Sequence, residues 1–312
     1  MNIVILDAYT IMQEDLNFDF LKSLGNLTIY ERTKENEIIE RVKNQDIVLT
    51  NKVIIDKEVI DNSNIKMIQV LSTGYNNVDI TYAREKGIIV CNVPAYSTTS
   101  VAQLTFSYML FFANHVNIES REVFRGKWLN SIDFMYMSTP QFELFNKTLG
   151  IIGYGKIGKE IAKIATAFGM KIIVYSKSFH DNVNNVTLDE LAKESDFISI
   201  NCPLTIETKE MINKDFLSKM KKTAYLINTA RGPIINEQDL ANALNDKLIS
   251  GAAIDVLSTE PPLPNNPLLK TKNLIITPHL AWATYESRSR LLKIVSDNII
   301  GFVNNSIINQ VN

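Results

Sequence analysis

Eleven short apolar runs, most of them followed by a longer stretch with helical spacing, organise this 312-residue sequence. They are Ile3–Leu6, Leu27–Tyr30, Ile47–Leu49, Met67–Leu71 and Ile88–Val93, then, after a gap, Leu149–Ile152, Lys171–Tyr175, Phe197–Ile200, Tyr225–Asn228, Ala252–Val256 and Leu274–Ile276. In the intervening stretches residues such as Ile161, Ile164, Ala165 and Phe168 fall on one helical face. Strands that alternate with helices need crossover connections, which are right-handed, and so build parallel sheets. Runs apolar at nearly every position predict sheets covered by helices on both faces. The fold class is therefore α/β.

The series breaks once. Residues 97–116 read as a long apolar helix, with Ser100-Val101-Ala102-Gln103 at capping-box spacing, and a polar, aromatic segment then runs to about Lys147. A second strand–helix series follows. With about 150 residues per domain as a guide, the length suggests two domains. We place them at 1–97 plus 283–312 and at 98–282, the terminal helix at about 286–302 taking the first unit as its partner. The expected architecture is two Rossmann/flavodoxin-like parallel-sheet domains with a cleft between them.

Composition narrows the function classes. Lys and Arg total 32 against 34 for Asp and Glu, so the formal charge is 32 − 34 = −2. That balance gives no footprint for nucleic acid or an anionic membrane. No apolar run approaches the roughly 18 residues of a membrane span. The start, Met-Asn-Ile-Val-Ile-Leu-Asp, reads as a strand rather than a signal peptide. Cys91 and Cys202 both lie in apolar runs, as expected of buried thiols in a reducing compartment, and no metal-ligand spacing occurs. A cytoplasmic protein without a metal is expected.

The chemistry concentrates where strands end. Gly153-Tyr154-Gly155-Lys156-Ile157-Gly158 follows the strand Thr148–Ile152 and opens an amphipathic helix at 157–168. In that context the first glycine makes a tight turn, the second lets a pyrophosphate approach the backbone, and the third lets helix and strand pack closely. The amides at Lys156 and Ile157 then face the phosphates from a helix N-terminus. At the ribose position an NAD-binding chain usually carries an acid, but here the strand ends in Ser176-Lys177-Ser178. NADP(H) is therefore left open beside NAD(H).

Three further strand ends carry Asn228-Thr229-Ala230-Arg231-Gly232, Asp255-Val256-Leu257-Ser258-Thr259-Glu260-Pro261 and Thr277-Pro278-His279-Leu280-Ala281-Trp282. Arg231 offers a planar fork for a carboxylate. His279 is an acid–base group for neutral pH. Glu260 is a carboxylate to orient it. This trio suits hydride transfer to a 2-oxo acid. Other residues weigh less: His115 and His180 read as structural or solvated, and Lys52 and Trp282 as solvated or core side chains that could also reach substrate.

These runs, in order and spacing along the whole chain, resemble those of the D-isomer-specific 2-hydroxyacid dehydrogenases. Leu71-Ser72-Thr73-Gly74-Tyr75-Asn76-Asn77-Val78-Asp79, Cys91-Asn92-Val93-Pro94-Ala95-Tyr96-Ser97 and Thr139-Pro140 resemble the glycerate dehydrogenase branch. The resemblance implies that Arg231 binds and polarises substrate, Glu260 orients the histidine and His279 is the acid–base. It implies that the backbone at Thr73 and Gly74 holds the substrate carboxylate. Asp255 would contact the nicotinamide end, and Cys202, Pro203, Thr208, Thr229 and Ala230 would line the cofactor site. Hydroxypyruvate and D-glycerate are the expected pair, with glyoxylate reductase or D-lactate dehydrogenase activity next, and a nucleotide-sensing corepressor the alternative from another class. The resemblance also implies a homodimer, for which the helix at 97–116 is a candidate face. Two departures stand out: Ser176 where many members have Asp, and Gln103 where many have Glu.

Overall fold

A computed structural model describes all of residues 1–312 and contains two parallel sheets. The chain forms two compact units, Met1–Ser97 with Ala283–Asn312, and Thr98–Trp282. In the first, β1 (Asn2–Ile5), β2 (Asn26–Ile29), β3 (Ile47–Thr50), β4 (Met67–Val70) and β5 (Ile89–Cys91) are ordered β2-β1-β3-β4-β5. In the second, β6 (Thr148–Ile152), β7 (Lys171–Tyr175), β8 (Asn184–Asn185), β9 (Phe197–Ile200), β10 (Tyr225–Asn228), β11 (Gly251–Ile254) and β12 (Leu274–Ile276) are ordered β12-β11-β10-β9-β6-β7-β8. The two-residue β8 is not predicted by the sequence, because asparagine is depleted in strands. It exists only through its register with Ile173 and Val174 on β7.

Every residue of β3, β4, β9 and β11 is buried, as two-sided helix cover requires. Each buried Ile, Leu or Phe contributes on the order of 1.5–3 kcal/mol relative to exposure. In the second unit one core layer gathers Ile198, Ile200, Leu226, Leu240 and Ile254 on one face of the sheet. The other gathers Phe106, Met109, Phe112, Ile151, Ile161 and Phe197, with the Tyr225 ring stacked 4.6 Å from Phe112 and 5.1 Å from Phe197.

The long helix runs Thr98–Asn114, and its start corrects the capping-box expectation. Ser100 lies inside the first turn, buried, and its hydroxyl donates to the Ala281 carbonyl at 2.5 Å. That helix buries Phe106, Met109 and Phe112 in its own unit and exposes Leu110. A helix Val116–Phe124, not anticipated from the sequence, begins after His115 in a left-handed conformation. Its last residue, Phe124, and Leu129, Ile132 and Phe134 in the segment beyond it are all at least 88% exposed.

The terminal helix Tyr285–Val303 belongs to the first unit. Polar ties fix it there. Arg288 is buried and grips the Asp15 carboxylate with two bonds of 2.5 Å while donating to the Ile11 carbonyl. Buried Asn298 donates to Gln69 Oε1 and to the Asn92 carbonyl.

Candidate active site

Parallel strands place their C-terminal ends on one edge, so the loops after β6, β9, β10, β11 and β12 share that edge. The strand order reverses at β6, whose neighbours are β7 and β9, and ligands of open α/β sheets bind outside such a switch point. The three glycines of the first loop are needed for different reasons. Gly153 has φ +92°, and a Cβ there would sit 2.6 Å from the Cys202 amide nitrogen. At Gly158 a Cβ would come within 2.4 Å of the Gly153 carbonyl oxygen. At Gly155 a Cβ would meet nothing within 4 Å. Room is thus left in front of the helix Lys156–Ala167, whose first intrahelical bond runs from the Lys159 amide to the Gly155 carbonyl. The amides of Lys156, Ile157 and Gly158 precede that bond and are donors for an anion.

Two buried polar atoms on the same edge have no partner: Asn201 Oδ1 after β9 and Thr229 Oγ1 after β10. Buried polar groups without partners are rare. Together with the empty space at Gly155 they fit a dinucleotide bound along this edge. Asn201 was not anticipated, since an asparagine at a strand end has no distinguishing pattern. The Thr208 hydroxyl donates to the Pro203 carbonyl at 2.7 Å, closing the loop that carries both. Cys202 is only partly buried rather than core, and its surroundings push the thiol up to about 11 by desolvation.

The acid–base group is built by three loops. His279 Nδ1 lies 2.6 Å from Glu260 Oε2. An ionised carboxylate only accepts, so Nδ1 carries the proton and Nε2 is presented outward. Glu260 is itself held, Oε1 accepting from the Leu257 amide at 2.9 Å. Asp255, expected at the nicotinamide end, is buried and ties the His279 loop. Its carboxylate accepts from the Thr277 hydroxyl at 2.6 Å, the Leu280 amide at 2.9 Å and the Ala281 amide at 2.8 Å. Burial pushes its carboxyl above the ordinary range, against those bonds. Tyr108, from the long helix, bonds the Thr277 hydroxyl in turn.

Arg231 is exposed at the end of β10, its guanidinium donating to the Ala230 carbonyl at 2.7 Å. Two residues that sequence reading passed over set its place. Buried Asn228 accepts from the Ala230 amide and donates to the Arg231 carbonyl. Gly232 lies against Leu257, where a Cβ would stand 2.0 Å from the carbonyl carbon. Trp282, half-buried, ends the unit.

In the first unit the loop after β4 is tied by its carbonyls. Ser72 accepts from the Val93 amide, Thr73 from the Asn92 side chain, and Gly74 from the Ser72 hydroxyl. The amides of Thr73 and Gly74 donate to no acceptor of the chain. Lys52, after β3, is exposed, and its amide is held by the half-buried Asp7 carboxylate at 2.6 Å.

The family model "D-isomer specific 2-hydroxyacid dehydrogenase, NAD binding domain" matches residues 106–281. The chain belongs to the D-isomer-specific 2-hydroxyacid dehydrogenases. As such it is an NAD-dependent oxidoreductase acting on CH–OH donors. A hydroxypyruvate reductase from Blautia hydrogenotrophica is 43% identical over 321 residues, covering 100% of both chains. Among solved structures, a D-lactate dehydrogenase from Aquifex aeolicus complexed with NAD and lactic acid is 32% identical, covers 98% and 96% of the two chains, and superposes with a TM-score of 0.82. An acyclic imino acid reductase in complex with NADPH and D-Arg is 30% identical over the whole of both chains, with a TM-score of 0.86. This dehydrogenase thus has relatives in complex with either cofactor.

Proposed function

We propose that this D-2-hydroxyacid dehydrogenase interconverts hydroxypyruvate and D-glycerate, with His279 as acid–base, Glu260 as its orienting carboxylate and Arg231 as the substrate anchor. The observation that carries the reading is the 2.6 Å contact of His279 with Glu260 on the edge that also bears the glycine loop. The 43% identical hydroxypyruvate reductase supports the substrate. A nicotinamide bound along the edge would supply or take up the hydride at the substrate's C2. His279 Nε2 gives its proton to the carbonyl oxygen in reduction and takes it from the hydroxyl in oxidation. Arg231 holds the carboxylate and the developing negative charge with its fork. Turnover of a panel of 2-oxo acids, ranked by kcat/KM, tests the assignment. Glyoxylate or pyruvate ranking well above hydroxypyruvate would overturn the substrate.

Glu260→Gln keeps the shape but removes the charge that favours the imidazolium. The limb of the pH profile on which D-glycerate oxidation needs a neutral imidazole is expected to move to lower pH. The limb on which reduction needs the protonated form should move the same way. A profile superimposable on wild type would contradict the pairing.

Ser176 and Lys177 replace the acid that would repel a 2′-phosphate, so both NADH and NADPH are accepted. Ser176→Asp is expected to depress NADPH use relative to NADH by at least about tenfold, about 1.4 kcal/mol. An unmoved ratio of kcat/KM values, or a wild type that already ignores NADPH, would show that this loop does not read the ribose. We further propose a homodimer whose contact is the apolar segment 124–134, since exposed apolar patches of that kind mark interfaces. Sedimentation giving a monomer would refute it.

A further inference from the structure

We propose that His180 is a pH-dependent reader of the cofactor's 2′-phosphate, which makes the choice of NADPH over NADH stronger as pH falls. The proposal rests on the dinucleotide reading of the glycine-loop edge given above.

His180 lies in the polar loop between β7 and β8, where its sequence position suggests a solvated side chain. The loop folds back instead. One asparagine pins both backbone groups of His180, Asn185 Oδ1 accepting its amide at 3.1 Å and Asn185 Nδ2 donating to its carbonyl at 2.7 Å. The ring is thereby set edge-on against Tyr154, the second residue of the glycine loop, with centroids 5.0 Å apart. Its Nε2 lies 3.5 Å from the Ser176 hydroxyl. The imidazole is therefore seated between the glycine loop and the first residue after β7. That is the position from which Rossmann-type folds read the ribose 2′ substituent. A phosphate that meets the Ser176 hydroxyl is within reach of His180 Nε2.

Other groups around the ring show what the histidine adds. Lys177, exposed beside Ser176, is a constant positive charge. Lys159 stands 5.8 Å from the Tyr154 ring on its own helix. Glu207, held below its ordinary range by the Thr205 hydroxyl and at longer range by Lys177, keeps part of that lysine's field occupied. Asp181 follows His180 and is exposed. Tyr154, Ser176 and Asn185 contribute no charge. Among these groups only a histidine changes charge between pH 5 and 8. Below that change the imidazolium adds a charge-assisted bond to the 2′-phosphate, and above it the bond reverts to a neutral one. A ribose 2′-hydroxyl gains far less from the same protonation, so NADH binding lacks the step.

The test compares two probes by calorimetry, adenosine 2′,5′-bisphosphate and adenosine 5′-monophosphate, at pH 6.5 and 8.5. Their ratio of Kd values isolates the 2′-phosphate. In wild type the preference for the bisphosphate is expected to rise about fivefold from pH 8.5 to 6.5, the gain of a charge-assisted bond over a neutral one. In His180→Gln the rise should vanish. In Lys177→Ala the preference should fall at both pH values while the rise remains. The proposal is overturned if wild type shows no rise, or if His180→Gln keeps it. Wild type that binds NADH but fails the pH comparison sinks this inference alone. Wild type that does not bind NADH sinks the dinucleotide reading and this inference together.

Discussion

His279→Asn is expected to lower kcat in both directions by about 10²–10⁴, the range for losing a positioned general acid, with NADH affinity retained. Asparagine keeps a polar side chain but cannot exchange a proton at neutral pH. The folded state should tolerate it, because the loop is held by backbone and by Asp255 rather than by the imidazole. The His279 amide donates to the Asp255 carbonyl at 2.8 Å, and Leu280 and Ala281 donate to the Asp255 carboxylate. Binding of NADH, followed by fluorescence titration, separates a chemical defect from a structural one. Near-normal turnover would remove His279 from the mechanism. A collapse of NADH binding together with turnover would point instead to a damaged loop.

Arg231→Lys is expected to lower kcat/KM for hydroxypyruvate by about 10²-fold, comparable to losing one preorganised oxyanion donor. A lysine keeps the charge and most of the reach. It loses the planar fork that meets a carboxylate with two parallel bonds, which is why the exchange is not conservative. The backbone that carries residue 231 should be unaffected, because Asn228 bonds its carbonyl and the close approach of Gly232 to Leu257 involves no side chain of residue 231. An unchanged kcat/KM in the lysine variant would exclude Arg231 as the anchor.

The periodicity of the chain was sufficient for the fold class. All eleven apolar runs became strands within two residues of their expected ends, and Lys171–Tyr175 coincides with its run end for end. That works because the parallel strands are buried on both faces, so each one is written as an uninterrupted apolar word. The glycine loop was equally legible, since φ +92° at Gly153 and the close approach of Gly158 to Gly153 leave few residue types that fit. Arg231, Glu260 and His279 were visible as reactive types at strand ends.

Other features depended on contacts between residues far apart in sequence, which no local pattern encodes. The tie that Asp255 makes to the His279 loop is one, because only the fold brings Thr277, Leu280 and Ala281 to it. Ser100 has capping-box spacing, yet the helix starts at Thr98 and its hydroxyl finds Ala281, 181 residues away. His180 reads as solvated until Asn185 folds its loop against Tyr154. The sequence by itself determined the sheets, the phosphate loop and the reactive side chains, because burial and backbone sterics are local requirements written residue by residue. Only the tertiary structure decided which polar groups meet, because a hydrogen bond depends on the distance between its atoms and not on their separation along the chain.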